Sequence, residues 1–343
     1  MISLMQQEIF SEPEMLKRTV AACAPVLPEI RKAFIDKGVT NIVTMARGTS
    51  DNAATVFSFV CPLYSGMKVG KYHPSLTTVY DAAVDMKNTC MVVVSQSGMS
   101  KDTIAVLRKA KKAGALIVGV TNNKESDTAK ESDFHLFLDV EEEKSVAATK
   151  TYIAELIALY MLTTAVGKEC DTKYEKTVAR LGEIIAMNDK IKNVAQDLHT
   201  LNNFIILSRG TMQGTGDELS LKLTECCYLF NRSYSSANFM HGPLSLLAEG
   251  ANVIMLAPKG KFDAEFIEMA KRVKDAGANL TAFSDIPEVL ACAKQKVEMP
   301  AVCDLCGPVL YGTAVSLLAL NIGLAKGLNV DSPRNLKKVT VTL

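Results

Sequence analysis

The sequence predicts an α/β protein of two tandem doubly wound parallel-sheet domains, related by internal duplication. Three observations carry this. Short runs of β-branched residues bounded by Gly, Ser or Asn alternate with longer amphipathic stretches. The runs are apolar throughout, as strands covered on both faces are. Finally, "NIVTMARGTS" at residues 41–50 returns as "NFIILSRGTM" at 203–212, an offset of 162.

The repeat extends along the chain. "VVVSQSG" ending at Gly98 matches "IMLAPKG" ending at Gly260, and "KKAGALIVGVTN" matches "KDAGANLTAFSD" at an offset of 163. So long a period duplicates a whole domain and exceeds the periods of solenoids. Strands are expected at Asn41–Met45, Thr89–Val94, Leu116–Thr121 and Phe134–Leu138, then at Phe204–Leu207, Asn252–Leu256, Leu280–Phe283 and Lys296–Met299. Helices are expected at Ser100–Lys112 and Phe262–Ala276. A run from Tyr174 to Leu198 has apolar residues near helical spacing and reads as one connecting helix. An eight-stranded barrel also alternates strands and helices, but this separating run favours two domains. The expected division is an N-terminal helical segment 1–34, a first domain 35–170, the connecting helix 171–198, a second domain 199–330 and a tail 331–343.

Composition narrows the partners. With 38 basic and 37 acidic residues, net charge +1, nothing draws the chain to nucleic acid or to a membrane surface. Nine cysteines, an odd number set in apolar runs, read as thiols in a reducing cytosol, not as a disulfide framework. Cys303 and Cys306 form a CxxC, but no second pair or histidine cluster lies near it in sequence, so apolar filling at a helix start is expected rather than a metal site. The N-terminus lacks a basic segment followed by an apolar core, so no signal peptide is expected. The longest apolar stretch is taken as Thr151 to Val166, which Glu155 and several threonines interrupt, so no membrane span is expected. The protein is expected to be cytoplasmic, without metal or redox cofactor.

Ligands of open parallel sheets bind beyond the carboxyl ends of the strands. "SQSGMSKDT", residues 95–103, is the sharpest such segment: Ser95, Ser97 and Ser100 offer hydroxyls, Gln96 an amide, and Gly98 a close backbone approach. The helix behind it presents free N–H groups to an anion. The same residues also suit a plain polar helix cap. "RGTSDN" (47–52) and "EKSVAATK" (143–150) again place small or hydroxyl residues before helices, and the run Glu141–Glu143 reads as a solvated surface. No nucleotide fingerprint is present. In the second half, Glu218, Lys222 and Glu225 share one helical face; a surface salt-bridge ladder and buried carboxylate chemistry both fit. His241 stands in a Gly-Pro turn, unlike the other three histidines.

In "RGTS", "SQSGMSKDT", "SVAATK", "LKLTE", "MHGPL" and "DSPRNLKKVTV" the chain resembles the sugar isomerase (SIS) family. It is similar over nearly its whole length to the isomerase half of the glutamine–fructose-6-phosphate aminotransferases. The resemblance implies two flavodoxin-like SIS domains and a homodimer with the active site at the subunit boundary. It implies that Ser95, Gln96, Ser97 and Ser100 hold a sugar phosphate, with Ser50, Val146 (through its backbone) and Ala148 lining the sugar; the family often has serine where Ala148 stands. Glu225 corresponds to the proton-transfer base and Lys222 to its helper. His241 corresponds to a ring-opening histidine reaching from the other subunit, and Lys338 to a Schiff-base lysine. Thr224 stands where the aminotransferases commonly have lysine. Those enzymes make ammonia in a separate glutaminase domain; here residues 1–40 precede the first expected strand and Cys23 lies mid-segment. The expectation is therefore release of ammonia from an amino-sugar phosphate, glucosamine 6-phosphate first. The alternatives are a fructosamine-6-phosphate deglycase, an aldose–ketose isomerase and a non-catalytic sugar-phosphate sensor.

Overall fold

A computed structural model describes residues 2–167, 173–303 and 305–338. Five strands form the first sheet: β1 (Asn41–Met45), β2 (Lys68–Lys71), β3 (Thr89–Val94), β4 (Leu116–Thr121) and β5 (Phe134–Phe137). Five more form the second: β6 (Asn203–Ser208), β7 (Phe230–Ser235), β8 (Asn252–Ala257), β9 (Asn279–Ser284) and β10 (Gln295–Glu298). The orders are β2-β1-β3-β4-β5 and β7-β6-β8-β9-β10, and every described pairing is parallel. The two orders are the same order, with corresponding strands starting 161–163 residues apart. A shared strand order at constant spacing is what duplication of a whole domain leaves behind.

The central strands β3 and β4 are buried at every position, which is why they are apolar without alternation. Met45, Val93, Val106 and Ile117 build the core on one sheet; Leu207, Met255, Met269 and Leu280 occupy the corresponding places on the other. Strands β2 and β7 were not expected from the sequence. Both are edge strands, where charged and polar residues such as Lys68, Lys71, Asn231 and Arg232 discourage further pairing and hide the apolar signal.

Three other expectations are corrected. The run from Tyr174 to Leu198 is three helices, Tyr174–Ala179, Leu181–Ala186 and Asn188–Leu198, interrupted at Arg180 and Met187 where ψ is near zero. Glu143 is buried, unlike exposed Glu141 and Glu142. The helix Gly307–Ala325 is more apolar than Thr151–Val166 and has the length and composition to cross a membrane, yet its residues Gly307–Gly323 are buried in the fold.

The chain divides into two compact units. The N-terminal unit comprises Ser11–Glu143, Lys150–Val178 and Lys337–Leu343; the C-terminal unit comprises Met1–Phe10, Lys144–Thr149 and Ala179–Leu336. The short stretch 144–149 thus groups with the second sheet.

Candidate functional site

In the order 2-1-3-4-5 the connections from β1 and β3 run to opposite sides, and the crevice at their carboxyl ends is the position where such sheets take ligands. In the N-terminal unit that position is formed by Arg47–Gly48 ahead of the helix Thr49–Ser65, and by Ser95–Ser100 ahead of the helix Lys101–Lys112. The serine turn is built from its own residues. Ser95 Oγ accepts the Gly98 N–H at 3.2 Å and Ser97 Oγ that of Met99 at 3.4 Å. The Gln96 carbonyl accepts from Asn122 N–H at 3.0 Å, and that of Gly98 from Thr128 at 3.2 Å. Gly98 has φ +63°, and a Cβ there would lie 2.4 Å from Ser126 Oγ, so only glycine fits. Ser100 occupies the cap position of its helix without a side-chain cap bond.

An anion at this helix start gains from the dipole but meets Asp102 in the first turn. Arg47 removes that penalty: its guanidinium reaches the buried Asp102 carboxylate at 2.7 and 2.8 Å, tying the turn after β1 to the helix after β3. Ser50 is buried and donates its hydroxyl to Glu155 at 2.8 Å. Lys338 lies 2.8 Å from buried Glu143, whose other oxygen accepts the Thr151 N–H at the start of the helix Lys150–Val166. That pairing explains why Glu143 is not a solvated residue.

The C-terminal unit carries the other candidates. Val146 gives its N–H to the Asp331 carbonyl at 3.0 Å. Ala148, half-buried, lies in the same stretch, which Glu8 holds through the Ser145 hydroxyl and the Lys144 N–H. Asp331 also caps the helix Leu4–Cys23, accepting the Leu4 and Met5 N–H groups at 2.9 Å.

On the helix Gln213–Cys227, Lys222 is fully buried between Glu218 at 3.3 Å and Glu225 at 2.5 Å. Burial opposes the Lys222 charge, but the two carboxylates outweigh it and its pKa is raised. Glu225 alone of the three reaches the surface, 22% exposed, so this is a buried charged cluster with one accessible carboxylate rather than a surface ladder. His241 is exposed, in the turn after Ser236–Phe239, with Gly242 at φ +121° behind it. Among the described residues no group of three or more His, Cys, Asp or Glu is placed to hold a metal ion.

The second copy of the switch point is chemically different. Arg209 pairs with Glu265 at 3.2 Å, repeating Arg47–Asp102 one domain later. But the turn N–H groups of Lys259 and Gly260 donate to Asp285 and Asp263, each at 2.6 Å. The corresponding first-copy residues are Asn122 and Ser100, both neutral. The second turn therefore holds its own anions. Sequence reasoning missed Asp102, Glu155, Glu143, Glu8 and Asp331; only the repeated arginine–acid pair left a signal in the repeat itself.

These features define a class: a duplicated flavodoxin-like α/β protein whose turn N–H groups are held by serine hydroxyls at the first switch point and by aspartates at the second. Residues 35–165 match the family model described as "SIS domain". The chain is 29% identical over 98% of its length to a glutamine–fructose-6-phosphate aminotransferase [isomerizing] of Pyrococcus horikoshii, and spans 57% of that relative. Among solved structures, a candidate phosphosugar isomerase of Silicibacter pomeroyi is 28% identical with a TM-score of 0.83, covering 96% of this chain and 100% of that one. The C-terminal domain of glucosamine-fructose-6-phosphate aminotransferase from Francisella tularensis is 24% identical with a TM-score of 0.89, covering 97% and 98%. Residues 35–165 are thus an SIS domain, and the chain is homologous to the SIS part of the isomerizing aminotransferases.

Proposed function

We propose that the protein deaminates an amino-sugar 6-phosphate, glucosamine 6-phosphate being the first substrate to test, and that it does so as a homodimer. The observation that carries this is Glu225: one accessible carboxylate on a helix whose buried lysine compensates it. Such a group suits proton transfer between adjacent carbons. The kinship with aminotransferases of fructose 6-phosphate supports a nitrogen at C2.

In this reading the serine turn, Ser95 to Ser100, takes the phosphate, and Ser50, Val146 and Ala148 line the sugar. His241 passes a proton to the ring oxygen and opens the pyranose. Glu225 removes the C2 proton and returns it to C1, giving a C2 imine; water adds there, and ammonia leaves with the ketose phosphate. Lys222 holds Glu225 in place. Lys338 supplies positive charge near the open sugar, and a Schiff base would require it first to leave Glu143.

The test is a panel of amino-sugar 6-phosphates and fructosamine 6-phosphates, with ammonia and free amine measured separately. Ammonia from glucosamine 6-phosphate is expected, with kcat falling about 10²–10⁴-fold in Glu225→Gln. Amine release without ammonia would make the protein a deglycase, and saturable binding without turnover a sensor. Full activity in Glu225→Gln would remove the mechanism whatever the substrate.

A further inference from the structure

The CxxC pair lies outside the roles assigned above. Cys303 is exposed and Cys306 buried, and their sulfurs stand 2.9 Å apart as thiols. The carbonyl of Cys303 accepts the N–H groups of Cys306 and Gly307 at 2.9 and 3.0 Å, at the start of the helix Gly307–Ala325. Cys306 is the cap residue of that 19-residue helix, so its sulfur sits at the positive end of a long dipole. Arg180 stands nearby: its guanidinium is paired with Glu183 at 2.9 and 3.0 Å, donates to the Ala301 carbonyl at 2.7 Å and interacts more weakly with Cys306. Thiolates form in such surroundings, and the thiolate is the reacting species.

The other described cysteines lack this combination. Cys23, Cys61, Cys90, Cys226 and Cys227 are buried and Cys292 is half-buried. Burial pushes the Cys23 and Cys226 thiols up to about 12, where they are inert. Apolar filling of a helix start explains buried Cys306 but not an exposed sulfur held against it.

We propose that Cys303 and Cys306 are a thiol–disulfide exchange site for small-molecule disulfides. The exposed Cys303 thiolate attacks one sulfur of the incoming disulfide, forming a mixed disulfide and releasing one thiolate. The Cys306 thiolate then attacks Cys303 Sγ, forming the intramolecular disulfide and releasing the second thiolate. The two protons lost by the cysteines end on the two released thiols, so the disulfide supplied is reduced as the pair is oxidised. Gly307, which follows Cys306, packs close to the turns after β6 and β8: a Cβ there would lie 3.1 Å from Met212 Sδ and 3.4 Å from Pro258 Cγ.

The test treats the folded full chain with oxidised glutathione, traps remaining thiols by alkylation and maps the tryptic peptide 297–326, which contains no other cysteine. The expected product is that peptide short of two hydrogens, restored by dithiothreitol. Cys306→Ala is expected to stop at a stable glutathione adduct on Cys303, and Cys303→Ala to leave Cys306 unmodified. Cys303 is exposed, so its variant keeps the fold, which circular dichroism verifies. Alkylation of both cysteines after treatment, or a persistent adduct on Cys303 in the unsubstituted protein, would overturn the proposal.

Discussion

Gly98→Ala tests whether the serine turn is shaped by its glycine. The left-handed backbone at φ +63° costs an alanine about 1–2 kcal/mol. The loss of unfolded-state freedom returns about 0.4–1 kcal/mol. The new methyl would lie 2.4 Å from Ser126 Oγ and 2.7 Å from its Cβ, and overpacking of this kind costs about 1–3 kcal/mol. The net expectation is a loss of about 3 kcal/mol, more than a hundredfold in local opening. With two units present, one global unfolding energy is ill-defined, so hydrogen exchange across residues 95–129 is the assay, with calorimetric binding of glucosamine 6-phosphate beside it. Adding Ser126→Gly removes the two nearest atoms the methyl meets and leaves Thr121 Cγ2 at 3.0 Å, at a cost of only about a few tenths of a kcal/mol for the lost cap on Ala129. That double variant should recover most of the packing share and keep the backbone share. Unchanged protection and binding in Gly98→Ala, or no recovery in the double variant, would refute the reasoning.

Lys222→Met removes the cation that the buried Glu218 carboxylate faces and should cost about 3–5 kcal/mol, read as faster hydrogen exchange across the helix Gln213–Cys227; adding Glu218→Gln should recover most of it, and wild-type protection in the single variant would count against the cluster. The same lysine sets a pH dependence. Its folded pKa is raised above the unfolded 10.5, so its contribution is complete below pH 10.5 and is lost as pH climbs through the folded value. Above pH 10.5 the urea midpoint of the native protein should fall more steeply than that of Lys222→Met/Glu218→Gln; parallel curves would show that the lysine's charge does not stabilise the fold.

The central strands and the serine turn were legible in the sequence because their signals are local. Thr89–Val94 is apolar because both its faces are covered, and Ser95–Gly98 forms its turn from neighbours in the chain. What was not legible depends on partners far away. Glu143 sits third in an acidic run and looks solvated until Lys338 is brought to it, 195 residues later. Val146 has its N–H taken by Asp331, and Ser50 its hydroxyl by Glu155. Edge strands β2 and β7 carry polar residues because an edge must not recruit another strand. The pair Arg47–Asp102 spans 55 residues and becomes readable only when Arg209–Glu265 is seen as its copy.

Duplication alone would have given two equal turns, and the carboxylates of the second explain why they differ. Asp263 and Asp285 take the N–H groups of Gly260 and Lys259 at 2.6 Å, and burial raises the Asp285 pKa. A dianionic phosphate entering there would lose those donors and face two carboxylates at close range, a repulsion that the turn lysines, Lys259 and Lys261, offset only in part. Restoring the first-copy residues, Asp263→Ser with Asp285→Asn, removes both charges and leaves the amides facing outward. If the serine turn is a phosphate site by virtue of its neutral neighbours, calorimetry with inorganic phosphate should show one site per chain in the native protein and two in the double variant. A folded double variant that still bound a single phosphate would mean that the hydroxyls of Ser95 and Ser97, not the absence of carboxylates, decide which copy accepts the anion.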